Sequence, residues 1–229
     1  MYSRTSADDP TGEPRSFGVS GRLWHGVLVM FDRGTESLWT QIDGRAIRGA
    51  ELGARLTHVP STFTTWERWR AEHPDTLVLE KPEEERERKE SHYAAYFDDP
   101  ERLWQEHLAE GLGGVEPKDL VFGVQAGGEA LAVSEGLLSE KRVVNAVIGG
   151  TPIAWLLDDA TGFPRVVVRR LEGRVMVLGP EPRENPAVQF RDVLTGETHG
   201  PDEVETLRVD RAYWYAWRRS HPSSLILAD

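Results

Sequence analysis

The sequence of 229 residues contains no cysteine. This absence excludes disulfide bonds, thiolate zinc sites, iron–sulfur clusters, thiol nucleophiles and the covalent attachment of c-type haem. The first residues are polar and have no hydrophobic signal core. Together, the missing cysteines and the missing signal peptide predict a cytoplasmic protein.

Long apolar runs and an excess of basic residues are also missing. No stretch approaches the roughly 18 apolar residues that a membrane-spanning helix needs. Lys and Arg number 27 against 38 Asp and Glu, which gives a formal net charge of −11. Binding to a phosphate backbone needs a concentrated basic face, so we expect neither nucleic acid nor a membrane as partner.

What the chain does have is enough apolar surface for a folded core. Hydrophobic residues make up 39% of the sequence and Trp alone occurs 8 times. Residues 24–31 are nearly continuously apolar, and residues 120–133 form two apolar runs around Gly127-Gly128, which predicts a β-hairpin. We therefore predict the α+β class, with mostly antiparallel β-sheet and few short helices.

The clearest helix signal lies at residues 64–73. Thr64 is the predicted N-cap, Glu67 follows three residues later as in a capping box, and Pro74 stops the helix. Residues 76–79 then have the composition of a short strand.

An internal repeat organises the sequence. Its motif contains two tryptophans on one helix face, then an arginine, a His-Pro pair and three aliphatic residues, and it recurs at an offset of 148 residues (214 − 66). We expect the tryptophans to anchor a core and each histidine to bond the free carbonyls at its helix end. The two copies are Trp66-x-x-Trp69-Arg70-x-x-His73-Pro74-x-x-Leu77-Val78-Leu79 and Trp214-x-x-Trp217-Arg218-x-x-His221-Pro222-x-x-Leu225-Ile226-Leu227.

The repeat predicts two related sub-domains. Residues 16–80 would form the first copy and residues 118–229 the second. Residues 1–15 are polar and contain two prolines, so we expect a disordered lead-in. Residues 81–117 open with a run of charged side chains and would be a linker or an insert.

Motifs of catalysis are largely missing. The chain has no phosphate-binding loop, no nucleophile elbow and no zinc-binding helix, and no two of its 7 histidines have the spacing of a local metal site. We therefore predict no metal site and assign no cofactor. The best catalytic candidates are His25, Asp32 and Gln41, which one hairpin would bring near one another for acid–base work or metal ligation.

Structural roles are favoured even for these candidates. The odd separation of His25 and Asp32 puts them on opposite faces of a strand unless a bulge intervenes. Asp32 also belongs to an Asp-x-x-Thr pattern in which the carboxylate accepts hydrogen bonds from the following turn. The pattern occurs at Asp32/Thr35, Asp158/Thr161 and Asp192/Thr195.

Several further motifs follow one another in a distinctive order and spacing. They are Gly18-Val19-Ser20-Gly21-Arg22-Leu23, Val29-Met30-Phe31-Asp32-Arg33, Glu36-Ser37-Leu38-Trp39, Gly44-Arg45-Ala46-Ile47, Pro60-Ser61-Thr62, His73-Pro74-Asp75-Thr76-Leu77-Val78-Leu79, Val143-Val144-Asn145 and Gly149-Gly150-Thr151-Pro152. In this respect the chain resembles the bacterial and archaeal domain-of-unknown-function family three-one-seven-nine. The resemblance covers nearly all of residues 16–80 and 118–227.

The resemblance also implies what this chain lacks. Typical members carry a Gly-Gly hairpin, an Asn-Asp turn and a Cys-Pro-Leu-Cys motif before the segment that resembles residue 17 onward. The thiol pair is the family's most site-like feature, suited to a metal or redox role. On this comparison the first copy is N-terminally incomplete, and in the second copy Ala146 follows Asn145 where the family has Asn-Asp.

Two main hypotheses for function follow. The chain is a non-catalytic or partial member of the family, an interaction or structural module that self-associates or needs a partner to supply the missing strands. Alternatively, it is a metal-dependent or acid–base enzyme with its site near His25, Asp32 and Gln41. A small-ligand site between the two copies is a third class, because ligands often bind between domains.

Overall fold

The computed structural model describes residues 1–6, 12–59, 61, 63–83, 93–103, 106–110, 112–180, 189–200 and 203–228. Within these ranges the chain folds into small, mostly antiparallel sheets with few short helices, so the predicted α+β class is confirmed. Most of the charged run in the predicted linker, residues 84–92, lies outside the described residues. None of the described helices is long and apolar enough to cross a bilayer.

Among the described residues, six strands precede the first helix. The second to fifth form one antiparallel sheet in sequence order, and the first pairs with the sixth. Buried Trp39 packs between these layers together with Ala46 and Leu56. The strands are β1 (Tyr2–Ser6), β2 (Phe17–Trp24), β3 (Val27–Asp32), β4 (Leu38–Thr40), β5 (Ala46–Arg48) and β6 (Leu56–His58).

The start of the chain differs from the prediction of a disordered lead-in. Residues 2–6 form β1, which pairs antiparallel with β6. The Tyr2 hydroxyl donates a hydrogen bond to the Ile42 carbonyl at 2.9 Å. The polar composition of this segment hid these long-range contacts, because sequence patterns report local preference rather than pairing.

The described part of the middle of the chain contains two helices and a 3₁₀ turn, which are α1 (Trp66–Glu72), α2 (Ala94–Asp98) and the turn Glu106–Ala109. Helix α1 begins two residues after the predicted cap, because Thr65 has the extended backbone of an N-cap and its hydroxyl accepts the Arg68 N–H at 3.3 Å. The predicted strand at residues 76–79 is not formed.

The second half begins with the predicted hairpin around Gly127-Gly128, followed by a helix and a three-stranded meander. A short later strand extends the meander's sheet. Trp155 lies in the core between the two sheets, and its indole N–H donates to the Phe122 carbonyl at 3.1 Å. These elements are β7 (Leu120–Ala126), β8 (Glu129–Ser134), α3 (Glu135–Lys141), β9 (Val143–Ile148), β10 (Thr151–Asp158) and β11 (Phe163–Val168).

The remaining elements extend two of the sheets above and form two small ones, a two-stranded sheet of β12 and β13 and a three-stranded sheet of β14 to β16, whose bounds are given below. Strand β17 (Thr206–Leu207) extends the sheet of β9 to β11, while β18 (Asp210–Tyr213) and β19 (Leu225–Leu227) join the β7–β8 hairpin on its two edges. The last helix lies between β18 and β19 in sequence. The other elements are β12 (Arg170–Leu171), β13 (Arg174–Val175), β14 (Leu178–Pro180), β15 (Phe190–Asp192), β16 (Thr198–His199) and α4 (Trp214–Ser220).

Two polar side chains join the sheets of the second half. The Asn145 amide donates to the Leu178 carbonyl at 2.7 Å and accepts the Leu178 N–H at 3.0 Å, as a backbone partner would. Buried Arg169 donates to the carbonyls of Ile153 at 2.7 Å and Ala146 at 3.1 Å, both in the sheet of β9 to β11, and to the Met176 carbonyl outside that sheet. These bonds satisfy backbone groups where one sheet ends and the next begins.

Candidate functional site

The three predicted catalytic residues do not converge. His25 lies in the turn before β3 and Asp32 at the opposite end of that strand, a separation of about 20 Å at the usual rise per residue. Gln41 is exposed at the His25 end, where its backbone N–H donates to the Leu28 carbonyl at 3.3 Å. The structure therefore brings Gln41 to the His25 end of the sheet and leaves Asp32 apart.

Asp32 is buried and already fully engaged. Its carboxylate accepts the Gly34 N–H at 2.9 Å and the Thr35 hydroxyl at 3.0 Å, and it pairs with Arg15 at 3.0 Å. Burial disfavours the charged form, but the Gly34 N–H, Arg15 and Thr35 outweigh it and hold the pKa of Asp32 below its usual value. This carboxylate closes a turn and has no free oxygen directed at a ligand site.

The same arrangement is present at Asp192 in the second half. Its carboxylate accepts the Leu194 N–H at 3.1 Å and the Thr195 hydroxyl at 3.4 Å, and Arg174 donates to it. Burial opposes the charge here too, and the Leu194 N–H and Arg174 hold the pKa of Asp192 below its usual value. The turn role predicted for the Asp-x-x-Thr pattern accounts for the Leu194 and Thr195 contacts, and the Arg174 pair adds a bond to a distant segment.

His25 has the most unusual surroundings of the three candidates. Its backbone has a φ of 54°, and its ring stacks on Trp24 with centroids 4.6 Å apart. Burial, followed by the charges of Arg219 and Arg45, lowers the pKa of His25. Its buried Nδ1 has no hydrogen-bond partner among the described residues. No group of three or more side chains that could hold a metal ion occurs anywhere in the described residues.

An open cavity of about 570 Å³ lies on the outer face of the first sheet. None of the three catalytic candidates lines it. Its lining combines apolar side chains with charged side chains of both signs. The lining includes Val19, Phe31 and Leu38, with Arg22, Glu36 and Arg48.

The two repeat motifs fold into the same local structure. Helices α1 and α4 both have 7 residues, and each ends where a histidine N–H donates to a tryptophan carbonyl, His73 to Trp69 and His221 to Trp217. In both pairs the imidazole and indole centroids are 4.0 Å apart. The repeated sequence therefore gives the two helices the same C-terminal structure.

The indole N–H groups also have equivalent partners. Trp69 Nε1 donates to the Thr76 hydroxyl at 3.0 Å, and Trp217 Nε1 donates to the Ser224 hydroxyl at 2.8 Å. Thr76 and Ser224 are themselves separated by the repeat offset. The two tryptophans thus have matching orientations relative to the chain that follows them.

The burial of the two helices differs sharply. Helix α4 buries four residues, and its Trp214 and Trp217 are 2% and 0% exposed. Helix α1 buries none, and its Trp66 and Trp69 are 53% and 41% exposed. The prediction of core anchors is therefore correct for the second copy and wrong for the first.

The β7–β8 hairpin accounts for much of the burial of α4. A Cβ atom on Gly123 of β7 would lie 2.4 Å from the Trp217 ring, so the ring rests directly on the strand backbone. Ala132 of β8 is fully buried in the same cluster. Small residues on the hairpin thus let the indole approach the sheet.

No hairpin covers the corresponding face of α1 in the described structure. Helix α1 is attached by the Arg68 pair with Asp158 at 2.7 Å and by Phe63 stacked on Phe163 at 4.4 Å. The open face, which we name the α1 surface, consists of Phe63, Trp66, Trp69, Leu77, Val78 and Leu79. The last three are 96%, 68% and 94% exposed.

Sequence reasoning did not place an open surface at α1, because the helix motif is the same in both copies. The available signal lay elsewhere: residues 16–80 contain no Gly-Gly hairpin like the one around Gly127-Gly128. A repeat copy with the helix but without the hairpin predicts an uncovered helix face.

Comparison with known proteins gives one match. A family model described as "Protein of unknown function (DUF3179)" matches residues 2–227. Neither the curated proteins nor the solved structures yielded a significant match.

Proposed function

The chain belongs to DUF3179, a protein family of unknown function, and within it we propose that this protein is a non-catalytic interaction module. Its α1 surface is the contact region, which another polypeptide covers. The catalytic alternative has less support, because the predicted acid–base residues lie apart and Asp32 is saturated with structural bonds.

One observation carries the proposal: two helices with the same local structure differ in burial. The four large side chains Trp66, Trp69, Leu77 and Leu79 are between 41% and 96% exposed. Burying one such side chain is worth roughly 1.5–3 kcal/mol. Large apolar side chains exposed together in one short segment, with this much to gain from burial, indicate a protein-binding site.

The chemistry of the surface indicates a polypeptide partner. The net charge of −11 disfavours nucleic acid, and an aromatic and aliphatic surface is suited to protein contact. We place this interaction in the cytoplasm, in keeping with the absence of cysteine. We also take residues 16–80 and 118–229 as the two sub-domains, with the contact surface on the first.

Light scattering over a wide concentration range tests the proposal. Without its partner, the chain should self-associate through the α1 surface, and its apparent mass should rise above the monomer mass of 25.8 kDa. The double variant Leu77→Glu/Leu79→Glu should remain monomeric, because the charges oppose burial of the patch.

Leu194→Glu is the matched control, since Leu194 is 66% exposed but lies in a turn of the second half. It should associate like the unmodified chain. Self-association that Leu77→Glu/Leu79→Glu leaves unchanged, or a control that loses association equally, would refute the proposal.

A further inference from the structure

We propose that the occupant of the α1 surface is a β-hairpin of another protein, which inserts between residues 63–65 and 77–79 and places a glycine against the Trp69 ring. This inference rests on the proposed function and specifies the chemistry of its partner. The geometry is derived from the second half of the same chain, where an equivalent helix is already covered.

The covered copy shows how such a hairpin is held. Strand β18 pairs antiparallel with β7, with Tyr213 opposite Leu120. Strand β19 pairs in parallel with β8, with Leu225 opposite Leu131 and Leu227 opposite Val133. The hairpin is thus the centre of a four-stranded sheet whose outer strands flank α4 in sequence.

The repeat offset identifies the residues of the first copy that correspond to the outer strands of this sheet. Residues 63–65 correspond to residues 211–213 of β18, and residues 77–79 correspond to β19. Residues 77–79 form no strand, and their backbone makes no hydrogen bond to any other described residue. Unpaired backbone beside an apolar helix face is the arrangement that accepts an added strand.

The Trp69 ring sets the main sequence requirement on the hairpin. In the covered copy, any side chain at Gly123 would collide with Trp217, since three ring atoms lie within 2.4–2.5 Å of an ideal Cβ. Trp69 has the same histidine and hydroxyl contacts as Trp217. We therefore expect a glycine on the first strand and a small residue, like Ala132, on the second.

A second copy of the chain is a poor donor of this hairpin. Both edges of its β7–β8 hairpin are already paired, one with β18 and one with β19. The face toward α4 is filled by Trp217. Donation would require opening that sheet, so we commit to a hairpin from a different polypeptide.

A labelled synthetic peptide with the sequence of residues 119–135 serves as the probe, because it is the hairpin that covers α4. We expect saturable 1:1 binding to the full chain, followed by fluorescence anisotropy. The peptide that carries Gly123→Val should bind at least tenfold more weakly, a loss of about 1.4 kcal/mol. Trp69→Ala in the chain should weaken binding of the original peptide by a similar factor.

Leu194→Glu in the chain is again the control, and it should bind the original peptide like the unmodified protein. Binding that does not change with Trp69→Ala would mean that the peptide exchanges with the chain's own hairpin, and would overturn the inference. Equal affinity of the Gly123→Val peptide would overturn it as well.

The two proposals fail in distinguishable ways. If the chain self-associates through the α1 surface but the peptide neither binds nor dissociates the oligomer, a second copy is the occupant, and only the hairpin inference fails. If the chain is monomeric and the peptide does not bind, both fail.

Discussion

Helices α1 and α4 are built from the same motif, yet one is a surface element and the other is part of the core. Their lengths, their histidine ends and their close, tilted pairs of indole and imidazole rings agree. What differs is the β7–β8 hairpin, which lies against α4 and has no described counterpart at α1. The comparison shows that local sequence fixes a helix and its end, whereas burial depends on strands that are distant in sequence.

The largest expected difference between the two regions concerns the second tryptophan of each motif. Trp217→Ala should lower the free energy of unfolding by about 3–5 kcal/mol, because it empties a fully buried site. Trp69→Ala should cost about 1 kcal/mol or less, because that ring is 41% exposed. Urea or guanidinium unfolding of both variants measures the contrast, and equal losses would contradict it.

The glycine under Trp217 provides a second test. Gly123→Val should destabilise the chain by roughly 1–3 kcal/mol, since the branched side chain must displace the indole. Gly34→Ala is the matched control, because the nearest atom to its Cβ is 3.5 Å away and its φ is not positive. If Gly123→Val unfolds at the same denaturant concentration as the control, the close contact of ring and strand is wrong.

Substitution of the two buried aspartates should have similar effects on stability in the two halves. Asp32→Asn and Asp192→Asn should each cost roughly 1–3 kcal/mol, as for hydrogen bonds to a charged group. Both pKa values are held below the usual one, so this stabilisation is complete above about pH 4 and is lost as the pH falls further.

Acid unfolding curves check the similarity of the two turns. Each variant should show a smaller loss of stability below pH 4 than the unmodified chain, because one depressed carboxyl is gone. A loss in only one variant would mean that the two turns are not equivalent.

The smallest expected effect concerns the histidine that ends α4. Burial lowers the pKa of His221, although the Trp217 carbonyl at 3.2 Å and Asp43 oppose the shift. The unfolded chain therefore binds a proton more readily, so stability should decline as the pH falls below about 6.5. His221→Gln should reduce this slope in denaturant titrations between neutral and mildly acidic pH, and an unchanged slope would contradict the assignment.

Much of the fold could be predicted because its signals are local. The hairpin at Gly127-Gly128, the three aspartate turns and both repeat helices follow from neighbouring residues. Strand β1 and the exposure of Trp66 could not be predicted, because each depends on which distant segment lies against it. The same holds for residues 77–79, which have the composition of a strand but no partner strand in the described structure.

The sequence predicted that the first half has an open apolar surface, but it did not predict where that surface lies. The expectation of missing strands in the first half indicates an open apolar surface, but the sequence alone placed the tryptophans of that surface in a core. His25, Asp32 and Gln41 are close in sequence, but His25 precedes the 6-residue strand β3 and Asp32 is the last residue of that strand. Closeness along an extended strand does not bring side chains together.

Hydrogen exchange of the dilute, monomeric chain tests the central claim most directly. The backbone amides of residues 77–79 and of β19 should be compared in one experiment, because they are equivalent positions of the repeat. We predict that residues 77–79 exchange at nearly the unprotected rate, while β19 is slowed by its pairing with β8. Equal, strong protection of both segments would show that the α1 surface is already covered and would contradict the account.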